Sequence, residues 1–255
     1  MHIEQRHFIV TGGGSGLGEA VVRRLHQLGA YITIFDVNSK VSQKLKDELG
    51  GRVEFFCLDI CDEVGASSAI DQAILNFGGL RGTVNCAGIS VGERVIGKDG
   101  PHKIESFERV LKVNLIGTFN ILRLSADRMQ ENVPEGDGER GVIINTASIA
   151  AFDGQIGQSA YAASKGGLVS MTLPIARELA RSAIRVMTIA PGLFKTPMME
   201  TLPEDVQLSL GNLVPFPPRL GYPSEFALLV QHIIENSMLN GETIRLDGAV
   251  RLSPR

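Results

Sequence analysis

The chain has 255 residues, of which 44% are hydrophobic and 21% are charged. This length suits one large domain that buries its core without disulfides or a structural metal. The 25 basic and 28 acidic side chains give a net charge of −3, whereas a nucleic-acid-binding protein normally carries a basic excess. The apolar runs, such as 142–144 and 147–152, are much shorter than the ~18 residues of a membrane span. We therefore expect neither nucleic acid nor a membrane as a partner.

The three cysteines, Cys57, Cys61 and Cys86, are odd in number and form no C-x-x-C pair. This pattern argues against a disulfide framework and against a metal site, and it favours a reducing compartment. Residues 1–7 lead directly into the apolar stretch Phe8-Ile9-Val10. We therefore expect no targeting segment and a cytoplasmic protein.

Short apolar runs alternate with segments of helical periodicity along the whole chain. Strands are predicted at 7–11, 31–36, 52–58, 82–86, 141–147, 184–190 and 243–246. Helices are predicted near 17–28, 39–49, 62–77, 105–130, 159–181 and 223–236. This alternation indicates right-handed crossovers between parallel strands, and the strands lack polar alternation because helices cover both faces. We predict a single-domain α/β fold, a doubly wound (Rossmann) parallel sheet of seven strands.

Three segments interrupt this rhythm. Residues 89–103 form a long loop that contains glycine, and residues 131–141 are polar. Residues 191–222 contain six prolines together with several apolar side chains. Because long apolar loops in compact domains are commonly functional, we predict a substrate lid at about 193–222 within one cofactor-binding domain over 1–255.

A glycine-rich turn joins the first strand to the first helix, in the sequence Thr11-Gly12-Gly13-Gly14-Ser15-Gly16-Leu17-Gly18. The spacing is G-x-x-x-G-x-G, set by Gly12, Gly16 and Gly18. Such glycines allow the backbone to approach a pyrophosphate, and the helix N-terminus presents free N–H groups to it. The turn therefore predicts a dinucleotide site, although a glycine-rich turn alone is also compatible with a plain tight turn.

Two carboxylates follow the next two strands. Asp36 ends the second strand, where it can accept both hydroxyl protons of an adenosine ribose and would repel a 2′-phosphate, which favours NAD over NADP. The alternative is that Asp36 caps the following helix. Asp59, with the Ile60 backbone beside it, can hydrogen-bond an adenine amino group, although it too is compatible with a helix cap.

Ser148, Tyr161 and Lys165 form a candidate catalytic group. Ser148 follows the fifth predicted strand, and so lies at the carboxyl edge of the sheet, where ligands bind. Tyr161 and Lys165 are four residues apart and share one helix face. A phenol titrates near ~10, and an ammonium ~4–5 Å away can supply most of the shift that lowers that pKa toward neutrality. A bound, positively charged nicotinamide ring can supply the remainder. The alternative is a tyrosine packed in the core beside a solvated lysine.

The glycine turn, Asp36, the serine and the Tyr–Lys pair occur in the order and at the separations found in short-chain dehydrogenases/reductases. The chain resembles that family over its whole length, although Ala249 replaces the second glycine usual after Asp247. The resemblance implies that Asn114 is a fourth catalytic residue, which holds a water that links Lys165 to solvent. It further implies that Ser148 and Gln158 contact substrate, and that the cofactor contacts include Ser15, Leu17, Asp36, Asp59, Ile60, Cys86, Tyr161, Lys165, Phe194 and Thr196.

Several stretches resemble one branch of the family more closely: 144–148, 154–158, 171–177, 189–194 and 244–248. That branch contains mitochondrial enzymes that act on short-chain 3-hydroxyacyl-CoA and are also described as hydroxysteroid dehydrogenases. The resemblance implies an NAD-dependent oxidoreductase of fatty acid metabolism that interconverts a secondary alcohol and a ketone. We expect a short or branched 3-hydroxyacyl-CoA as substrate, with hydroxysteroid activity in addition. The lid differs around 198–212, so the substrate does not transfer directly.

Other interpretations stay open at this point. They are a dehydrogenase for another hydrophobic alcohol, a non-catalytic NAD-binding protein, and a scaffold subunit of an RNA-processing assembly. The basic side chains Arg94, Lys98 and Lys103 either meet the phosphates of a CoA ester or form a solvated loop. Family analogy implies a homotetramer in which helices 105–130 and 159–181 pair across a two-fold axis.

Overall fold

The computed structural model describes residues 1–98, 100–200 and 203–254, apart from the side chains of residues 198 and 200. Seven strands form one parallel sheet in the order β3-β2-β1-β4-β7-β8-β9. They are β1 (His7–Thr11), β2 (Tyr31–Asp36), β3 (Val53–Cys57), β4 (Leu80–Asn85), β7 (Gly141–Thr146), β8 (Ile184–Pro191) and β9 (Thr243–Leu246). A separate two-stranded hairpin consists of β5 (Ile96–Gly97) and β6 (Gly100–Pro101). The predicted seven-stranded parallel sheet is confirmed.

Helices cover both faces of the sheet. They are α1 (Gly16–Gln27), α2 (Ser39–Leu49), α3 (Glu63–Phe77), α4 (Ile104–Leu111), α5 (Thr118–Met129), α6 (Ser159–Leu179), α7 (Pro197–Glu200), α8 (Glu204–Gly211) and α9 (Pro223–Glu235). One core cluster joins α1, α2 and α9 to the sheet, and a second joins α3, α5 and α6 to its other face. No helix in the described part of the chain is both long and apolar enough to cross a membrane.

The strand order of the sheet indicates where a ligand crevice lies. The chain moves outward from β1 to β2 and β3, and then crosses to β4 on the opposite side of β1. The connections therefore diverge at the carboxyl ends of β1 and β4, which is where open parallel sheets bind ligands. The glycine-rich turn follows β1 directly and lies at this point.

The central strands are buried on both faces, as their unbroken apolar sequences predict. Phe8, Ile9 and Val10 of β1 have no exposed surface. A Cβ on Gly82 of β4 would lie 2.5 Å from the Phe8 ring, so the two strands need a glycine there. His7 is also buried, and its Nε2 lies 2.9 Å from the Thr33 hydroxyl. Burial lowers the pKa of His7 to about 4.

The structure differs from the prediction in three segments. The single helix predicted at 105–130 is two α-helices joined by a π-helical segment, Lys112–Gly117. The sequence did not indicate this segment, because the apolar periodicity continues through the change in helix type. The lid contains α7 and α8, where its prolines had indicated a loop. The 89–103 loop contains the β5–β6 hairpin, whose strands are too short for a periodic signal.

Candidate active site

A cleft of about 690 Å³ opens at the carboxyl ends of β1, β4 and β7, within the range of small-molecule sites. It collects almost every residue predicted from the sequence. Those that line it are Gly12, Ser15, Gly16, Leu17, Gly18, Asp36, Asp59, Ile60, Cys86, Ser148, Gln158, Tyr161, Lys165, Phe194 and Thr196. Asn114 does not line the cleft but lies directly behind it, bonded to the lining residue Ile89.

The glycine-rich turn has the geometry that a pyrophosphate needs. Gly12 has a φ of +62°, and a Cβ there would lie 2.8 Å from the Ala87 backbone. Gly16 also has a positive φ, +55°, at the first residue of α1. A side chain on Gly18 would collide with the Gly12 carbonyl. The turn thus brings the N–H groups at the start of α1 to the cleft, where they and the helix dipole favour an anion.

Backbone N–H groups hold the Asp36 carboxylate in the cleft. Gly14 N–H donates to Oδ2 at 3.0 Å, and Asn38 N–H donates to Oδ1 at 2.9 Å. The N-cap of α2 is Asn38, whose side chain accepts from Val41 N–H. The alternative that Asp36 caps this helix is therefore wrong. Among the described residues that line the cleft, the cationic side chains are Lys165 and Arg109.

The β3–α3 turn forms the far end of the cleft. Cys61 N–H donates to Asp59 Oδ1 at 2.9 Å, and Ile60 beside it is 4% exposed. The N-cap of α3 is Asp62, which accepts from Gly65 N–H. Asp59 is thus not the helix cap, and it lines the cleft at this turn.

Ser148, Tyr161 and Lys165 meet at the other end of the cleft. Ser148 follows β7, where its hydroxyl accepts from Ala150 N–H at 3.1 Å and hydrogen-bonds Tyr161. The Lys165 ammonium donates to the Thr146 carbonyl at 2.7 Å and lies 5.7 Å from the centre of the Tyr161 ring. Helix α6 therefore presents the phenol and the amine to the same space, as the i, i+4 spacing predicts.

Burial shifts the protonation equilibria of two side chains in the cleft. Burial raises the pKa of Tyr161 above its usual range, and the Ser148 hydrogen bond opposes that shift. Burial lowers the pKa of Lys165 to about 8. The reason for both shifts is that Lys165 is buried and Tyr161 is half-buried, so each charged form loses contact with water. The lowering of the phenol pKa that is expected from Lys165 together with a bound, positively charged nicotinamide ring stays a prediction.

Asn114 lies in the π-helical segment and is fully buried. Its side-chain oxygen accepts from Ile89 N–H at 2.8 Å, and its amide donates to the Ile89 carbonyl at 2.8 Å. The same amide also donates to the Ser164 hydroxyl at 3.0 Å. The side chain thus ties the wall of the cleft to α6.

Cys86 packs under the cleft rather than acting as a nucleophile. Burial raises the pKa of its thiol to about 11, so the thiol is neutral near pH 7. The Thr146 hydroxyl lies 3.5 Å from its sulfur. A small side chain at this strand end leaves room for a ligand.

The base of the lid closes the cleft on one side. Phe194 is 7% exposed and pairs through its backbone with Gly221, so the two ends of the lid meet. Thr196 lies across the cleft mouth from Gly16. At the opposite wall, the Gln158 side chain accepts from Gln155 N–H at 3.1 Å and shapes the turn before α6.

Sequence reasoning missed several residues that line the cleft, among them Arg109, Val113 and Thr146. Arg109 and Val113 are four residues apart on one helix face, just before Asn114, which is a signal that could have identified them. Thr146 is the last residue of β7 and lies at the carboxyl edge by position alone.

The chain was compared with known proteins. Residues 6–207 match the family described as short chain dehydrogenase. The "3-hydroxyacyl-CoA dehydrogenase type-2" of Drosophila melanogaster is 52% identical over 96% of this chain and 97% of its own length. The Homo sapiens protein of the same name is 52% identical, over 96% of this chain and 95% of its own length. The crystal structure of 3-hydroxyacyl-CoA dehydrogenase type-2 from Mycobacterium avium superimposes with a TM-score of 0.94. It is 42% identical and covers 98% of this chain and 97% of its own.

The fold, the glycine-rich turn and the Ser–Tyr–Lys cleft agree with these similarities. The family members are oxidoreductases that use a nicotinamide cofactor. The chain belongs to the short-chain dehydrogenase family.

Proposed function

We propose that this chain is an NAD-dependent 3-hydroxyacyl-CoA dehydrogenase, which interconverts a secondary alcohol and a ketone on short or branched acyl-CoA esters. Convergence of Ser148, Tyr161 and Lys165 on the cleft that also holds the Asp36 carboxylate is the observation that carries this proposal. The substrate class is supported by the relatives named 3-hydroxyacyl-CoA dehydrogenase type-2.

The preference for NAD over NADP is supported by the surroundings of Asp36. Two backbone N–H groups fix its carboxylate, which leaves lone pairs for the two ribose hydroxyls. A 2′-phosphate at this place would lie against the carboxylate, and like charges at such range repel. The residues that would hold NAD are the glycine turn at the pyrophosphate, Asp36 at the ribose, and Asp59 with Ile60 at the adenine.

The acid–base chemistry belongs to Tyr161. In oxidation its phenolate takes the hydroxyl proton of the substrate, and in reduction its phenol donates that proton to the forming alkoxide. Ser148 holds the same substrate oxygen and so orients it toward the phenol. A bound nicotinamide cofactor would supply the hydride acceptor or donor for the carbon that bears this oxygen.

Lys165 supplies positive charge beside the phenol. Burial raises the pKa of Tyr161, so the Lys165 ammonium has to act against that shift, and an oxidised nicotinamide ring would add a second positive charge. The Thr146 carbonyl holds the Lys165 amine in place, and Asn114 fixes the neighbouring wall for a water that connects this amine to solvent.

The substrate side of the cleft is largely apolar. Leu193, Phe194, Pro197 and Met199 line it from the lid segment, which supports a hydrophobic acyl chain and, as a second substrate, a hydroxysteroid. We propose that residues 193–222 act as the lid over this substrate.

We also propose a homotetramer in the cytoplasm that serves fatty acid metabolism. Helices α4, α5 and α6 and the π segment expose the large apolar side chains of Ile104, Ile116, Phe119 and Leu173, which supports pairing across a two-fold axis. Cys57, Cys61 and Cys86 carry free thiols, as expected in a reducing compartment.

The test follows NADH absorbance with acetoacetyl-CoA, a branched 3-oxoacyl-CoA and a ketosteroid in parallel, and repeats each assay with NADPH. We expect turnover of the CoA esters with NADH. Tyr161→Phe should abolish turnover while leaving NADH binding intact. Tyr31→Phe is the matched control, because it removes a hydroxyl from a ring that stacks on Phe77. Turnover retained by Tyr161→Phe, or a preference for NADPH, would contradict the proposal.

A further inference from the structure

The turn between β3 and α3 is braced from outside the cleft by helix α5. The Asn120 side-chain amide donates to the Ile60 carbonyl at 2.9 Å. Asn120 is 7% exposed and does not line the cleft, whereas Ile60 does. The contact therefore reaches the adenine end of the cleft from behind.

The other end of the Asn120 amide is also held. Arg123 donates to the Asn120 oxygen at 2.8 Å, and the same guanidinium forms an ion pair with Glu63 at 2.8 Å. Because Glu63 is the first residue of α3, the chain of contacts returns to the turn that it supports. The Asn120 oxygen and nitrogen thus have distinct partners, which fixes the orientation of the amide.

Gly117 brings the helix close enough for this brace. A Cβ at Gly117 would lie 2.7 Å from Ile60 Cγ1 and 3.2 Å from Cys61 Sγ. Any larger residue must therefore move Ile60, since real Cβ atoms do not approach so closely. Gly117 ends the π-helical segment that contains Asn114, so one stretch of helix touches both ends of the cleft.

We propose that Asn120, seated by Gly117, is a positioning residue for the adenine subsite. It fixes the position of the Asp59–Ile60 turn, against which the adenine ring lies. Asn120 itself touches neither cofactor nor substrate. This inference rests on the proposed use of NAD. It predicts that Asn120 affects binding of the adenosine half of the cofactor and not of the nicotinamide half.

The test compares Asn120→Ala with Arg128→Ala by titration calorimetry with NADH, AMP and reduced nicotinamide mononucleotide, which lacks adenine. Arg128 is the matched control because it also joins α5 to α3, through Asp71, but away from the turn. Asn120→Ala should raise the Kd for NADH and AMP about tenfold, the scale of one lost buried hydrogen bond. The Kd for the mononucleotide should stay within twofold, and Arg128→Ala should change none of the three.

A second variant keeps the inference testable if Asn120→Ala folds poorly. Gly117→Ala keeps the Asn120 side chain but displaces Ile60, and it should show the same selective loss of AMP and NADH affinity. Equal losses for the mononucleotide and for AMP would indicate a general defect and overturn the inference. Unchanged NADH affinity in Asn120→Ala and Gly117→Ala would overturn it as well. If the wild-type protein binds neither NADH nor AMP, the proposed function itself is wrong.

Discussion

Replacing Lys165 with methionine should stabilise the protein while it removes the activity. Lys165 is 5% exposed in the wall of the cleft, where its ammonium has lost its water shell. Methionine has a similar length and fills the same space without a charge. A residue that serves catalysis rather than packing commonly lowers the stability of the folded protein. The change in the free energy of unfolding on this substitution measures how much Lys165 lowers it.

The magnitude follows from the pKa. Burial lowers the pKa of Lys165 from the usual 10.5 to about 8. At about 1.36 kcal/mol per unit, keeping the amine charged at pH 7 costs roughly 3 kcal/mol of folding free energy. The variant leaves the Thr146 carbonyl without its donor, which costs about 1–2 kcal/mol. We therefore expect a net gain of about 1–2 kcal/mol, or roughly 2–8 °C in Tm.

The gain should depend on pH. The folded protein releases the Lys165 proton above about pH 8, whereas the unfolded chain keeps it to about 10.5. Between these values the unfolded state binds more protons, so the stability of the wild-type protein rises with pH. The advantage of Lys165→Met should therefore shrink across this window.

Urea and thermal unfolding at pH 7 and pH 9.5 measure the difference directly. Lys44→Met is the control, because Lys44 is exposed on α2. Its replacement should leave the free energy of unfolding and the Tm nearly unchanged at both pH values. A less stable Lys165→Met at pH 7, or an advantage that grows with pH, would refute the reasoning.

Three more substitutions test other parts of the structure. Asp36→Asn should shift the NADPH-to-NADH ratio of kcat/KM by about 5- to 1000-fold toward NADPH, from the ~1–4 kcal/mol of repulsion removed, and an unchanged ratio would contradict the assignment. The free energy of unfolding of the wild-type protein should fall by about 3 kcal/mol from pH 7 to pH 4. The reason is that His7 takes up a proton in the unfolded chain, whereas in the folded state its pKa is about 4. Urea titrations of His7→Gln should show no such pH dependence from this residue. Gly82→Ala should cost about 1–3 kcal/mol, because its Cβ meets the Phe8 ring, and Phe8→Leu should relieve part of that cost; equal stability of Gly82→Ala and wild type would exclude the clash.

Most of the fold was predictable because its signals are local and repeated. The alternation of apolar strands with helices gave the parallel sheet, and the glycine turn fixed the end of the sheet where the cleft lies. The lid helices α7 and α8 were not predictable, because both are short and the prolines around them indicate a loop. The π-helical segment was missed because its apolar spacing resembles that of an ordinary helix.

The site was predictable to the extent that its residues follow strands or share a helix face. Asp36, Ser148, Tyr161 and Lys165 meet those conditions and converge in the structure. The direction of the Tyr161 pKa was not predictable, since it depends on how much water the folded walls exclude. Asn120 carries no pattern at all, because its role depends on a contact across 60 residues of chain.

The π-helical segment also constrains how the sequence can change length. Each residue added to or removed from a helix rotates everything beyond it by about 100°. Deleting one residue between Asn114 and Gly117 would turn Asn120 away from Ile60 even if Asn114 kept its partners. A change in length here would therefore alter both contacts at once, because the spacing of Asn114 and Asn120 is fixed by the residue count of a single irregular turn.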